Sequence, residues 1–127
     1  MENLQLKGEK RFGRTRVKVD VQVFLFKEDA IWYAYLPALD LNGYGNSEED
    51  AKESLKISIN EFIRYTINKK TFFDELKRLG WTIKKNKKIL IAPKISDLVN
   101  ENEELKEILD SKSYISDGYQ VRVPVLA

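Results

Sequence analysis

Residues Ile31 to Leu55 read I-W-Y-A-Y-L-P-A-L-D-L-N-G-Y-G-N-S-E-E-D-A-K-E-S-L, and their order decides the fold class. The first six residues, Ile31 to Leu36, are rich in aromatic and β-branched types and suit an antiparallel strand. Pro37 has no N–H to give to a ladder and stops it. Ala38 to Leu41 is a short apolar connection. Asn42-Gly43 and Gly45-Asn46 bracket Tyr44, which predicts a short third strand or a tight turn. Ser47 is a helix N-cap type, with Asp50 three residues on in a weaker form of the capping box. Glu48, Glu49 and Asp50 fill the first turn, where the helix dipole favours negative charge.

Upstream, Val17, Val19, Val21, Val23 and Leu25 alternate with Arg16, Lys18, Asp20, Gln22 and Phe24. A period of two is the mark of a half-buried strand. The outward face begins polar and turns apolar at Phe24 and Phe26. That end therefore needs cover on both sides, from a second subunit or from the C-terminal segment. Lys27-Glu28-Asp29 reads as a turn. Downstream, Ala51, Leu55, Ile59, Phe62 and Thr66 recur at helical spacing, widened by Ile63 and Ile67. They predict an amphipathic helix over about 47–68, lying on the valine face.

Thr71 can cap a shorter helix, Phe72 to Leu79, ended by Gly80. Trp81 to Lys85 and Lys88 to Ala92 read as strands around Asn86-Lys87, stopped by Pro93. A third helix opens at Ser96 and runs to about Leu109, with a polar N-E-N-E-E-L segment that suggests a break. Ser111 to Gly118 reads as a loop. Tyr119 to Leu126 reads as a last strand, its Pro124 asking for an edge position or a bulge. The expected class is α+β: an antiparallel three- to four-stranded sheet with a long helix on one face, then C-terminal helices and strands. One domain, 1–127, is expected, with a core at 14–70 and an extension at 71–127.

Composition narrows the chemistry. The 127 residues include no cysteine and no histidine. That excludes disulfides, thiolate sites, a cysteine nucleophile and Ser-His or Cys-His pairing. Neither a metal nor another cofactor is expected. The formal charge of +2 is too mild to argue nucleic-acid binding by itself. The first eight residues have no signal-peptide core, and no apolar run approaches the roughly 18 residues of a membrane span. Cytoplasm is the expected compartment.

Each chemical candidate has a structural rival. Glu48, Glu49, Asp50 and Glu53 are explained by the helix start. Asp20 is mid-strand, where a metal nuclease holds a carboxylate. Ile31 to Leu36 offers no acidic partner beside it, and a cross-strand polar pair accounts for it. Gly43 and Gly45 belong to no phosphate-loop pattern and read as positions needing permissive backbone angles. No catalytic residue is assigned. Basic residues cluster at Lys7 to Lys18 and at 84–88. Arg11, Arg14, Lys84, Lys85, Lys87 and Lys88 are candidate nucleic-acid contacts, against a solvated tail and a charged hairpin tip. In the second strand Trp32, Ala34 and Leu36 share one face and Ile31, Tyr33 and Tyr35 the other. Both are apolar, which favours core on one side and a protein interface on the other over base stacking. The candidate interface residues are Phe24, Phe26, Tyr33, Tyr35 and Tyr119.

Tyr33 to Leu55 resembles the HicB-like antitoxin family. Its pattern is a strand ended by Pro, a short apolar link, then Gly-Asp-Thr-x-Glu-Glu-Ala opening a helix. Pro37 and Leu39 match the first parts, Gly45-Asn46-Ser47 the Gly-Asp-Thr, and Glu49-Asp50-Ala51 the Glu-Glu-Ala. With the flanking strand and helix, the match covers about 17–68. The resemblance implies a partial RNase H-like fold without catalytic activity. It implies an oligomeric antitoxin that neutralises a small RNA-cleaving, HicA-like toxin. Many such proteins add a C-terminal helix-turn-helix or ribbon-helix-helix. None is legible after Gly80 here, so the resemblance does not extend to a DNA-binding tail. The alternative readings are a nucleic-acid-binding regulator and an oligomeric protein with no toxin partner.

Overall fold

The computed structural model describes residues 15–84 and 89–125. Its elements are β1 (Thr15–Glu28), β2 (Ile31–Leu36), β3 (Leu41–Gly45), α1 (Glu48–Asn68), α2 (Phe72–Arg78), β4 (Thr82–Lys84), β5 (Ile89–Ile91), α3 (Ile95–Leu98), α4 (Glu103–Ser111) and β6 (Tyr114–Val125). The fold is α+β. One four-stranded antiparallel sheet has the order β3-β2-β1-β6, and β4 and β5 form a separate two-stranded pair.

The main sheet is uneven, and chain length explains why. β2 stops at Pro37, so it pairs only with the end of β1, from Phe24↔Tyr35 to Glu28↔Ile31. β6 pairs along β1 from Thr15↔Val125 to Phe26↔Tyr114. The result is a long β1–β6 ribbon with the short β2–β3 hairpin at one end. The β1–β2 turn is tight, with Asp29 and Ala30 both at positive φ, 53° and 68°. Two such residues match the twist of hairpin strands.

One face of this sheet meets α1. Val19, Val21, Val23, Leu25, Ala34 and Leu36 form a single core with Ala51, Leu55, Ile59 and Ile63. The Ser47 hydroxyl caps α1, accepting from the Asp50 N–H at 3.0 Å. Gly43 and Gly45 let the helix approach. A Cβ on Gly43 would stand 2.3 Å from the Leu55 nitrogen, and one on Gly45 2.4 Å from the Asp50 Cβ. Neither glycine has positive φ. The need is for close approach, and the expected permissive angles are not used. The segment after α1 returns to this core. The Trp81 indole N–H donates to the Ala38 carbonyl at 2.7 Å in a buried contact.

Further expectations change. Lys27 and Glu28, expected in a turn, are the end of β1, and the turn is Asp29-Ala30. The segment from Ser111 to Gly118 is strand from Tyr114 onward, because β1 is long enough to pair with it. The helical stretch from Ser96 to about Leu109 is two helices with a break at 99–102, at the polar segment that suggested one, and the Asn102 side chain starts the second by accepting from the Leu105 N–H at 2.9 Å. Thr71 stands at the start of α2 without a side-chain cap bond. Pro124 lies on β6, a sheet edge, as a residue without an N–H requires.

Candidate functional site

The other face of the sheet is aromatic where β1, β2 and β3 run side by side. Register sets Phe26 opposite Tyr33 and Tyr33 opposite Tyr44. The rings follow as a ladder. Phe26 and Tyr33 stack at 5.3 Å, and Tyr33 and Tyr44 are tilted at 6.5 Å. Phe24 meets Tyr114 edge-on at 5.6 Å. Rings this close contribute beyond their buried area.

α3 and α4 cover part of this face. Phe24, Phe26 and Tyr35 form a second core with Leu105 and Ile108, joined by Ile95, Leu98, Val99 and Leu109. The ladder therefore runs from a covered end at Phe26 to an open end at Tyr44, which is 66% exposed.

A polar latch fixes the cover. The Tyr35 hydroxyl donates to Asp40 Oδ1 at 2.7 Å and accepts from Asn102 Nδ2 at 2.8 Å. The same Asn102 caps α4. Tyr35 has no solvent exposure, and burial is the main cause that raises its pKa, with Asp40 adding to it. The phenol stays protonated, as a donor to a carboxylate must.

Carboxylates rim the cover. α4 carries Glu103, Glu104, Glu107 and Asp110, and Asp40 stands across from it. Three cavities meet there. The largest, about 740 Å³, is lined by Asp40, Asp97, Glu101, Glu103 and Glu104, with Arg78 and Lys94 among its cations. A second, about 400 Å³, has Phe26 and Tyr33 on its wall beside Glu28, Glu104, Glu107 and Lys112. A third, about 580 Å³, follows the outer side of α4 from Glu103 to Ser111. Desolvation, then Asp40 and Glu107, raise the pKa of Glu104. Among the described residues no ion pair reaches Asp40, Asp97, Glu101, Glu103 or Glu104. Lys112 shows what this environment accepts. Its ammonium lies 5.7 Å from the Phe26 ring centre, 2.9 Å from Glu28 and 3.8 Å from Glu107.

The sequence-derived candidates divide. Phe24, Phe26 and Tyr35 are covered within the chain, so they do not present a free interface; the C-terminal segment supplies the second cover. Tyr33 is half-buried at the cover's edge. Tyr119 belongs to the opposite face, against the α1 core. Its hydroxyl has no hydrogen-bond partner among the described residues, and burial pushes its pKa up to about 12. Lys84 is exposed on β4. Arg11, Arg14, Lys85, Lys87 and Lys88 lie outside the described residues. Asp20 is exposed and accepts from Gln120 at 3.3 Å, as a cross-strand polar pair.

Sequence reasoning missed Asp40, Asn102, Glu104, Glu107 and Lys112. The acidic run at 101–104 was the available signal, but its pairing with Tyr35 and Phe26 is tertiary. Donors and acceptors here hold a protein surface together, and among the described residues no group of acidic side chains is placed to hold a metal. No described helix is long and apolar enough to cross a membrane. The chain matches no family model, no curated protein and no solved structure.

Proposed function

We propose that this chain is a non-catalytic, HicB-like antitoxin that binds and neutralises a small HicA-like RNA-cleaving toxin. The observation that carries the reading is the ordered unit from Tyr33 to Leu55. Each element of the pattern has a physical duty. Pro37 ends β2, Gly43 and Gly45 admit α1, and Ser47 caps it. An exposed aromatic and acidic face beside that unit supports a binding role, since exposed aromatic residues are enriched in protein interfaces.

Co-purification with the product of the small neighbouring reading frame tests this, together with an RNA-cleavage assay. The expected result is a stable complex in which cleavage by the small protein is suppressed. A neighbour that neither cleaves RNA nor co-purifies contradicts the reading. Gel shifts across a salt series address the regulator alternative. Phosphate-driven binding would be strongest at low salt, so its absence there removes that alternative.

A further inference from the structure

We propose that the cleft between α4 and the Phe26–Tyr33–Tyr44 ladder is the docking site for arginine or lysine side chains of a basic protein partner. The proposal names a partner-facing site for the antitoxin reading and rests on that reading for the partner's role.

Three observations meet at this cleft. The wall is aromatic, with Phe26 and Tyr33 lining it and Tyr44 continuing the ladder to solvent. Ring faces attract cations through their quadrupole, and attract them more when the site is partly desolvated. The rim is acidic, and Glu103 and Glu104 meet no cation among the described residues. A planar guanidinium can stack on a ring and pair with a carboxylate at once. The chain also seats one cation of its own here, since Lys112 lies over Phe26 between Glu28 and Glu107. A partner's cation would take the adjoining place, over Tyr33 and beside Glu104.

Charge complementarity selects the occupant. From Lys94 to Asp110 the chain carries Asp97, Glu101, Glu103, Glu104, Glu107 and Asp110 against Lys94 and Lys106. This side repels an anionic backbone such as RNA and attracts a basic polypeptide.

The test is an NMR titration of the full chain with the peptide Ac-Arg-Arg-Arg-NH2 at low salt. It follows the Tyr33 and Tyr44 ring signals and the backbone amides of 103–111. The expected result is saturable shifts confined to these groups, with none from Ac-Gln-Gln-Gln-NH2. In the double variant Glu104→Gln with Glu107→Gln the peptide binds about tenfold more weakly, as the loss of about 1.4 kcal/mol of contact would give. Both residues are exposed, and unchanged amide shifts in α1 verify that the variant is folded. Absent or unsaturable shifts overturn the proposal, as does equal affinity in the double variant. A third variant replaces Lys7, Lys10, Arg11 and Arg14 with Gln. Several-fold tighter peptide binding there would mean that the chain's own basic residues occupy the cleft, and would overturn a partner as occupant. The two readings fail separately. If the peptide binds but the neighbouring gene product does not, the antitoxin reading falls and the cation site stands. If that product binds the double variant as well as it binds the unaltered chain, the site falls and the antitoxin reading stands.

Discussion

The two faces of the one sheet are closed by helices of very different reach. α1 is 21 residues long and lies against β2 and β3 with backbone nearly touching backbone, as the contacts that a Gly43 Cβ would make require. α4 is 9 residues long and meets the opposite face through Leu105, Ile108 and one hydrogen-bonded latch. The first closure buries a continuous aliphatic core. The second leaves the Tyr44 end of its aromatic ladder open and borders the Phe26–Tyr33 end with Glu28, Glu104 and Glu107. The difference separates duties within one small sheet: the α1 face holds the fold, and the α4 face has surface to spare for binding.

The largest expected effect breaks the first face. Gly43→Ala places a Cβ 2.3 Å from the Leu55 nitrogen and 2.5 Å from the Ala51 carbonyl oxygen. Neither is the end of a flexible side chain, so strand and helix must part, at a cost of about 4 kcal/mol. Gly118→Ala is the control. Nothing lies within 4 Å of its Cβ position, and urea unfolding should find it within about 0.5 kcal/mol of the unaltered chain.

Core truncation sharpens the comparison. Leu55→Ala should cost about 3 kcal/mol and Leu105→Ala about 2 kcal/mol, both being fully buried aliphatics that leave cavities. Urea midpoints measure the sum. Hydrogen exchange separates the two, with losses spread over the sheet for Leu55 and centred on α4 for Leu105.

The latch comes next. Tyr35→Phe removes the hydroxyl that joins Asp40 to Asn102 and should cost about 1.5 kcal/mol. Asn102→Ala removes a latch donor and a helix cap together, at a similar cost of about 1.5 kcal/mol. The pair should be less than additive, because both variants break the same bond.

The smallest effect is electrostatic. Glu104 has a folded pKa above its unfolded value, from desolvation and from Asp40 and Glu107. Its ionised form therefore costs stability above the folded pKa, and that cost disappears below the unfolded one. Glu104→Gln should be slightly more stable than the unaltered chain at pH 7, and the two should converge as pH falls toward 3. Thermal unfolding across that range reads the difference. A gap that widens on acidification would contradict the cause assigned here.

How much of this was legible depends on whether the signal was local. The alternation from Val17 to Leu25 and the spacing from Ala51 to Ile67 each carry their own period, and both elements stand where the pattern puts them. Ser47 caps as its residue type suggests. The glycines were readable as special positions, yet the reason, approach of α1, needs two elements at once. β6 was half-seen: Ser116-Asp117-Gly118 has loop chemistry, and only a long β1 beside it makes it strand. The cover escaped for the same reason. Phe24 and Phe26 announced a need for burial on the second face, but nothing local said that Leu105 and Ile108 would meet it. Of the interface candidates, Phe26 and Tyr33 line the cleft, Phe26 from its buried end and Tyr33 at the cover's edge. Tyr119 lies on the α1 face, because strand parity sets it with Val121 and not with Phe24.

The most direct test of a fold-holding face and a binding face is hydrogen–deuterium exchange of the full chain, with and without the tri-arginine peptide. The account predicts slowed exchange in β2, β3 and α4, with α1 unchanged and already the slowest helix. Slowing centred on α1, or no slowing anywhere at saturating peptide, would contradict it.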